Sequence, residues 1–161
     1  MKIIKYFFMF CVLLTMWGCG EVAYTEQHSA YIMIKTPSFR YADMGFIYKN
    51  REEVKVEIYG NGQPLMQLRL KKASICMQHF GCFSKKAFNA QVLSKYYPED
   101  IMEKIFRGKP LFHGQHMLQK RNGFTQTIHK DDKYQIEYRV FNQQIFFRDT
   151  INKIFIKVVK Q

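Results

Sequence analysis

Apolar residues that recur at every second position, in short runs broken by turn clusters, restrict this chain more than any other feature. Val54, Val56 and Ile58 alternate with Lys55, Glu57 and Tyr59, and Tyr134, Ile136, Tyr138 and Val140 alternate with Gln135, Glu137 and Arg139. A period of two puts one set of side chains on a buried face and the other in water, as in a strand of an antiparallel sheet. Gly60-Asn61-Gly62-Gln63-Pro64, Lys130-Asp131-Asp132-Lys133 and Asn142-Gln143 supply the turn chemistry between such runs. The same reading predicts strands over 31–34, stopped by Pro37, and over 41–48, with Met44, Phe46 and Tyr48 on one face. It also predicts strands over 65–72, with Met66, Leu68 and Leu70 inward, and over 73–78. The final third adds 124–129, 145–148 and 154–159, the last with Ile154, Ile156 and Val158 on one face.

Between these two groups the period changes. Ser84 is a good N-cap, with Phe83 before it and Phe88 placed for a hydrophobic staple, which predicts a short helix over 85–95. Pro98, followed by Glu99 and Asp100, opens a second helix where the dipole favours acids. Ile101, Met102, Ile105 and Phe106 form its apolar stripe, Arg107 sits in its last turn, Gly108 ends it and Pro110 blocks continuation. Residues 109–123 read as loop. Strands, two helices, then strands again predict an α+β fold: a curved antiparallel sheet, an incomplete barrel, with two or three helices covering its concave face.

At the N-terminus Lys2 and Lys5 precede an apolar run from Tyr6 to Trp17, and Gly18 stands before Cys19. A positive start, a short apolar stretch and a small residue describe a secretory signal peptide. The run is shorter than the about 20 residues a spanning helix needs. Met16-Trp17-Gly18-Cys19 resembles the lipobox of bacterial lipoproteins, which implies cleavage after residue 18 and acylation of Cys19. A plain signal peptide with an incidental cysteine and an uncleaved anchor are the alternatives. The expected organisation is a signal peptide over 1–18, lipidated cysteine and tether over 19–30, and one domain over 31–161. Gly20 after the cysteine points to the outer membrane, on the sorting preference of enteric bacteria.

Compartment then decides how the charge is read. Loss of Lys2 and Lys5 takes the net charge from +12 to +10. In a cytosolic protein that excess suggests nucleic acid. Outside the cytoplasm the anionic surfaces in reach are phospholipid headgroups and lipopolysaccharide, or the basic exterior is simply solvated. No nucleic acid partner is expected. Hydrophobic residues at 47% and aromatics at 16% exclude a disordered chain and suit either a β-rich core or an apolar cavity.

Cys76 and Cys82 remain as an even pair in an oxidising compartment, and five residues between them let the chain turn back into a disulfide. Cys76-His79-Cys82 as a metal triplet lacks a fourth ligand, and a redox dithiol lacks the two-residue spacing. His113 and His116 read as solvated loop histidines, and Asp149 as a turn former or local partner. No G-x-S-x-G, no H-E-x-x-H and no phosphate-binding glycine loop is present. No enzyme, metal or cofactor is expected.

The segment from Leu93-Ser94-Lys95-Tyr96-Tyr97-Pro98 through Glu99-Asp100-Ile101 to Arg107-Gly108-Lys109-Pro110 is similar to the helix ending in a Gly-x-Pro step of the LolA/LolB lipoprotein-carrier family. Met44-Gly45-Phe46-Ile47-Tyr48 and Ile136-Glu137-Tyr138 resemble strands of the same family, and the likeness runs from about 32 to 159. The resemblance implies a LolB-like outer-membrane lipoprotein, facing the periplasm. Its half-barrel would take acyl chains of incoming lipoproteins, or other amphiphiles, and pass them to the membrane. The partners implied are the membrane itself, lipoprotein acyl chains or anionic lipid, and a periplasmic carrier protein. The candidate cavity lining is Met44, Phe46, Val56, Ile58, Leu68 and Leu70 from the first strands, Ile101 and Ile105 from the second helix, and Ile136 and Tyr138 from the later ones. The same residues packed as a dry core would instead fit a structural lipoprotein that docks on an envelope partner.

Overall fold

The computed structural model describes residues 23–161. The signal peptide, Cys19 and the first part of the tether lie outside them. The described chain runs β1 (Glu26–Lys35), β2 (Arg40–Lys49), β3 (Val54–Gly60), β4 (Gln63–Leu70), β5 (Ser74–Met77) and β6 (Gly81–Ser84), then α1 (Lys85–Val92) and α2 (Ile101–Arg107). A 3-10 turn (Phe112–Gly114) follows, then β7 (Met117–Lys120), β8 (Gly123–Lys130), β9 (Tyr134–Phe141), β10 (Gln144–Asp149) and β11 (Ile154–Lys160).

All 11 strands belong to one antiparallel sheet in the order β6-β5-β4-β3-β2-β1-β11-β10-β9-β8-β7. Each half is a meander, because each turn returns the chain beside the strand it has just left. The first and last strands meet in the middle, from Ala30 opposite Lys160 to Lys35 opposite Phe155. β6 and β7 are left as the two free ends, so the sheet is open, and both helices lie in the connection between those ends.

One face of the sheet carries the core. Ile32, Ile34, Ile47, Val54, Val56, Ile58, Leu68 and Leu70 from the first half are fully buried, as are Phe147, Ile156 and Val158 from the second. Burying one such side chain contributes about 1.5–3 kcal/mol, which is what holds so long a ladder to one curvature and register. α2 packs against both β3 and β10, strands on opposite sides of the central pair, as fits an incomplete barrel curved around it. Curvature has a local cause in β2. A Cβ on Gly45 would lie 1.9 Å from the Glu57 carbonyl oxygen, so only glycine allows the two backbones this close. A register shift between Ile58 and Tyr59 in the β3–β4 ladder adds twist.

The helices form where local chemistry directs them. Ser84 Oγ accepts a hydrogen bond from the Ala87 amide at 3.1 Å and caps α1, an interaction typically worth about 1 kcal/mol. α2 ends on Gly108 at φ 65°, in the left-handed region, with the Lys109 amide donating back to the Lys104 carbonyl at 2.9 Å. Its stripe of Ile101, Met102, Ile105 and Phe106 is no more than 1% exposed.

Several expectations are corrected. Residues 26–30 belong to β1, not to a tether, because they pair with Lys49 to Gly45 of β2. Met44, Phe46 and Tyr48 do not face the core: Gly45, Ile47 and Lys49 do, and Met44 is 43% exposed. Both parities of β2 carry large apolar residues, and the register with β1 and β3 puts the even-numbered ones outside. α1 stops at Val92, and α2 begins at Ile101 with Pro98 preceding it. The stretch 109–123 contains the 3-10 turn and β7, an edge strand exposed throughout and so without alternation to read.

Candidate functional site

The ten candidate lining residues divide. Val56, Ile58, Leu68, Leu70, Ile101, Ile105, Ile136 and Tyr138 come together, each at most 1% exposed, in one continuous core. Met44 and Phe46 are on the opposite face of the sheet, where Phe46 packs edge-on against Tyr59 at 5.9 Å between ring centroids. Among the described residues these eight inner side chains pack together, and the groove described next is lined by others.

An apolar concavity lies where α1 meets the β5–β6 hairpin. Phe39, Tyr41, Met77, Phe80, Phe83 and Val92 line a groove of about 240 Å³, with Ser38 and Gln91 at its rim. Phe39, Tyr41, Phe83 and Val92 also pack on the core, so the groove is continuous with the interior through half-buried side chains. Phe80, at the hairpin tip, is 67% exposed. The volume is below the about 300–1,000 Å³ of sites that enclose a drug-sized ligand, so in this state the groove has room for one end of an alkyl chain. Sequence reasoning missed it, because its residues come from the β1–β2 turn, β2, the hairpin and α1 and share no periodic run.

The hairpin is braced. Cys76 and Cys82 face each other as Cα partners of β5 and β6, 3.9 Å apart, and are joined by a disulfide. With both sulfurs in that bond neither is a thiolate, and His79 keeps no metal-ligand companions from the pair.

Polar contacts hold the helical connection to the sheet at defined points. Asp149, 1% exposed, sits at the β10–β11 corner. Its Oδ1 accepts from the amides of Gln135 (3.1 Å), Ile151 (2.9 Å) and Asn152 (3.2 Å), and Oδ2 accepts from Asn152 Nδ2 at 2.7 Å and from the Tyr97 hydroxyl. Burial, and then the hydrogen bond to this carboxylate, push the Tyr97 phenol far above its ordinary range. Gln126, 1% exposed on β8, clamps the other end. Its Oε1 accepts from the Leu111 amide at 2.8 Å, and its Nε2 donates to the carbonyls of Leu111 (3.1 Å) and Gln115 (2.8 Å). α2 is thus pinned on both sides.

α1 is held differently. Glu103 of α2 accepts from buried Lys85 at 2.8 Å and from Arg107 Nε at 2.9 Å. Burial would raise the Glu103 carboxyl, but these two cations hold it below the usual carboxylate range. Asn89 Nδ2 donates to the Pro98 carbonyl at 2.9 Å. Along its groove side the polar contact is Ser38 Oγ to the Gln91 carbonyl at 3.5 Å, at the limit of a hydrogen bond.

Lys49 is a basic residue on the inner face, 7% exposed. Burial, and then the nearby Lys160, bring its ammonium down to about 8. Elsewhere, His113 and His116 are exposed, and among the described residues no three His, Cys, Asp or Glu side chains converge to hold a metal. No helix of the described residues is long and apolar enough to cross a membrane. No protein-family model matches the chain, and no curated protein matches it.

Proposed function

We propose that this chain is a LolB-like carrier, lipid-anchored at Cys19 on the periplasmic side of the outer membrane. It receives acyl chains of lipoproteins or similar amphiphiles at its inner sheet face and passes them to the bilayer. In this reading the two helices cover the concave face, α2 as a fixed wedge and α1 as the movable part. The apolar groove along α1 is the way in. Displacing α1 would let a chain slide between it and the hairpin onto the inner face, so the interior is closed at rest and opens on loading. A carrier of this kind must hold an acyl chain no more tightly than the bilayer does, and a site created by displacing packed side chains meets that condition. Phenylalanine, tyrosine and methionine along the groove suit a mobile chain, methionine being unbranched and adaptable.

The observation that carries this reading is the groove itself. It is apolar, continuous with the core, and bordered by α1, which buries fewer apolar side chains than α2. Native mass spectrometry of the chain from an envelope extract, with a diacylated lipopeptide added in steps, tests it. The expected result is a lipopeptide-bound mass that is lost in a folded Val92→Asp variant and kept in Phe46→Ser on the outer face.

A second reading is favoured by the exposed Phe80. The hairpin tip and filled core suit a lipoprotein that docks on an envelope partner without binding lipid. An unliganded mass at every lipopeptide concentration would overturn the carrier and leave this one.

A further inference from the structure

The face of the sheet opposite the core carries a second, chemically different surface. In one rank across four strands stand Arg40 of β2, Lys35 of β1, Phe155 of β11 and Arg148 of β10, each the Cα partner of the next. In the next rank Met33 stands opposite Lys157, and Lys157 opposite Phe146. The first rank, with Met33, Phe146 and Lys153 of the β10–β11 turn, lines a groove of about 620 Å³. Phe146 and Phe155 meet edge to face at 5.2 Å and form its floor.

None of these five cations, Lys35, Arg40, Arg148, Lys153 and Lys157, has a carboxylate partner within 4 Å among the described residues, and the first four line the groove. The acids nearby are already engaged. Asp149 is buried and accepts hydrogen bonds on both oxygens, and Glu137 pairs with Arg139 at 3.1 Å. Arg139 also lies over the Phe146 ring at 4.2 Å. This positive charge on a sheet surface, with aromatic rings and Met33 between the cations, suits an anionic counterpart.

We infer that this outer face is a docking surface for the phosphate headgroups of an anionic lipid bilayer, with the Lys35–Arg40–Arg148–Lys153 quartet taking the phosphates and Phe146 and Phe155 facing the less polar layer beneath. Lipid fits better than a single nucleic-acid strand because Arg139 lies over the Phe146 ring and Phe155 meets that ring edge to face, so the two rings offer no open platform on which successive bases could stack. Its apolar residues are interleaved with long cationic stems, the arrangement of side chains that lie at a membrane interface. The site is separate from the inner face, and acyl-chain binding there is not required for it.

Flotation of the full chain with vesicles tests this. Phosphatidylglycerol mixed one to one with phosphatidylcholine is compared with phosphatidylcholine alone, which measures what the N-terminal segment contributes in every variant. The expected result is a preference for the anionic vesicles that disappears in 1 M salt and falls by about a hundredfold or more in Lys35→Glu/Arg40→Glu/Arg148→Glu/Lys153→Glu. Reversing four other basic residues (Arg51→Glu/Lys71→Glu/Lys72→Glu/Lys86→Glu) should leave most of that preference in place. If the quadruple variant does not fold, Lys35→Gln/Arg148→Gln should still reduce the preference by about thirtyfold. Equal loss from the two quadruple variants would make the effect one of net charge and overturn the site. So would an undiminished preference in the outer-face variants, or tighter binding to DNA or to a free phosphomonoester than to the vesicles.

Discussion

The two helices share one connection and one sheet, yet they are held by different forces. α2 buries a full apolar stripe, touches both halves of the sheet, and is tied on either side by Tyr97 to Asp149 and Leu111 to Gln126. α1 buries Phe88 and Asn89, hands its one buried cation to α2, and lies along an open apolar groove. A helix fixed by side chains deep in a close-packed core moves only if the core does. A helix that anchors itself by one buried apolar side chain, Phe88, lifts at lower cost than one anchored by four, and local opening concentrates where buried contacts are few. The difference makes α1 the part of the molecule that the proposed acyl-chain loading would move.

The largest expected effect comes from the fixed helix. Phe106→Ala should lower the unfolding free energy by about 3–5 kcal/mol, while Val92→Ala, half-buried on α1, should cost about 1 kcal/mol or less. Urea unfolding followed by circular dichroism compares the two, and equal costs would erase the distinction between the helices.

Next is the pin at the corner. Asp149→Ala removes the acceptor for three backbone amides and the Tyr97 hydroxyl, leaving buried donors without partners, and should cost about 2–4 kcal/mol. Hydrogen exchange should then speed up around Tyr97 and into α2. Acceleration confined to the β10–β11 turn would show that the Tyr97 contact does not restrain the helix.

The smallest effect concerns charge on the inner face. Lys49 titrates near 8 in the folded chain and near 10.5 unfolded, so between these values the unfolded state binds more protons and stability rises with pH. Above about 10 the sign reverses. Burial holds Tyr97 and Tyr138 protonated in the fold while unfolded tyrosines lose their protons, so the unfolded state then binds fewer. Stability should therefore peak near pH 9–10. Lys49→Met should flatten the rise and add about 1 kcal/mol at pH 7. Thermal unfolding across pH 6–11 checks both, and a wild-type profile flat from 8 to 10 would contradict the assignment.

What could be read in the sequence was local. α2 was legible from Pro98, its stripe and Gly108, because each device acts within a turn or two of helix. Val54, Val56, Ile58 and the 134–140 run were legible because one parity is apolar and the other is not. β2 was not, since Met44, Phe46 and Tyr48 look as core-like as Gly45 and Ile47, and only pairing with β1 and β3 chooses between them. Phe46 and Tyr48 instead join an outer cluster in which Lys55 lies 4.0 Å over the Tyr48 ring. The bond from Tyr97 to Asp149 joins residues 52 apart, and the α1 groove gathers residues from the β1–β2 turn, β2, the hairpin and the helix. Nothing in a one-dimensional pattern brings such residues together.

The measurement that tests the central claim most directly is lipopeptide uptake by a chain in which α1 cannot lift. Ser38→Cys/Gln91→Cys places two thiols at the rim of the groove, and a short bis-maleimide joins them without reducing the Cys76–Cys82 bond. The account predicts that the cross-linked chain loses uptake while the same variant left unlinked keeps it. Equal uptake by linked and unlinked chains would show that acyl chains do not pass beside α1, and would contradict the account.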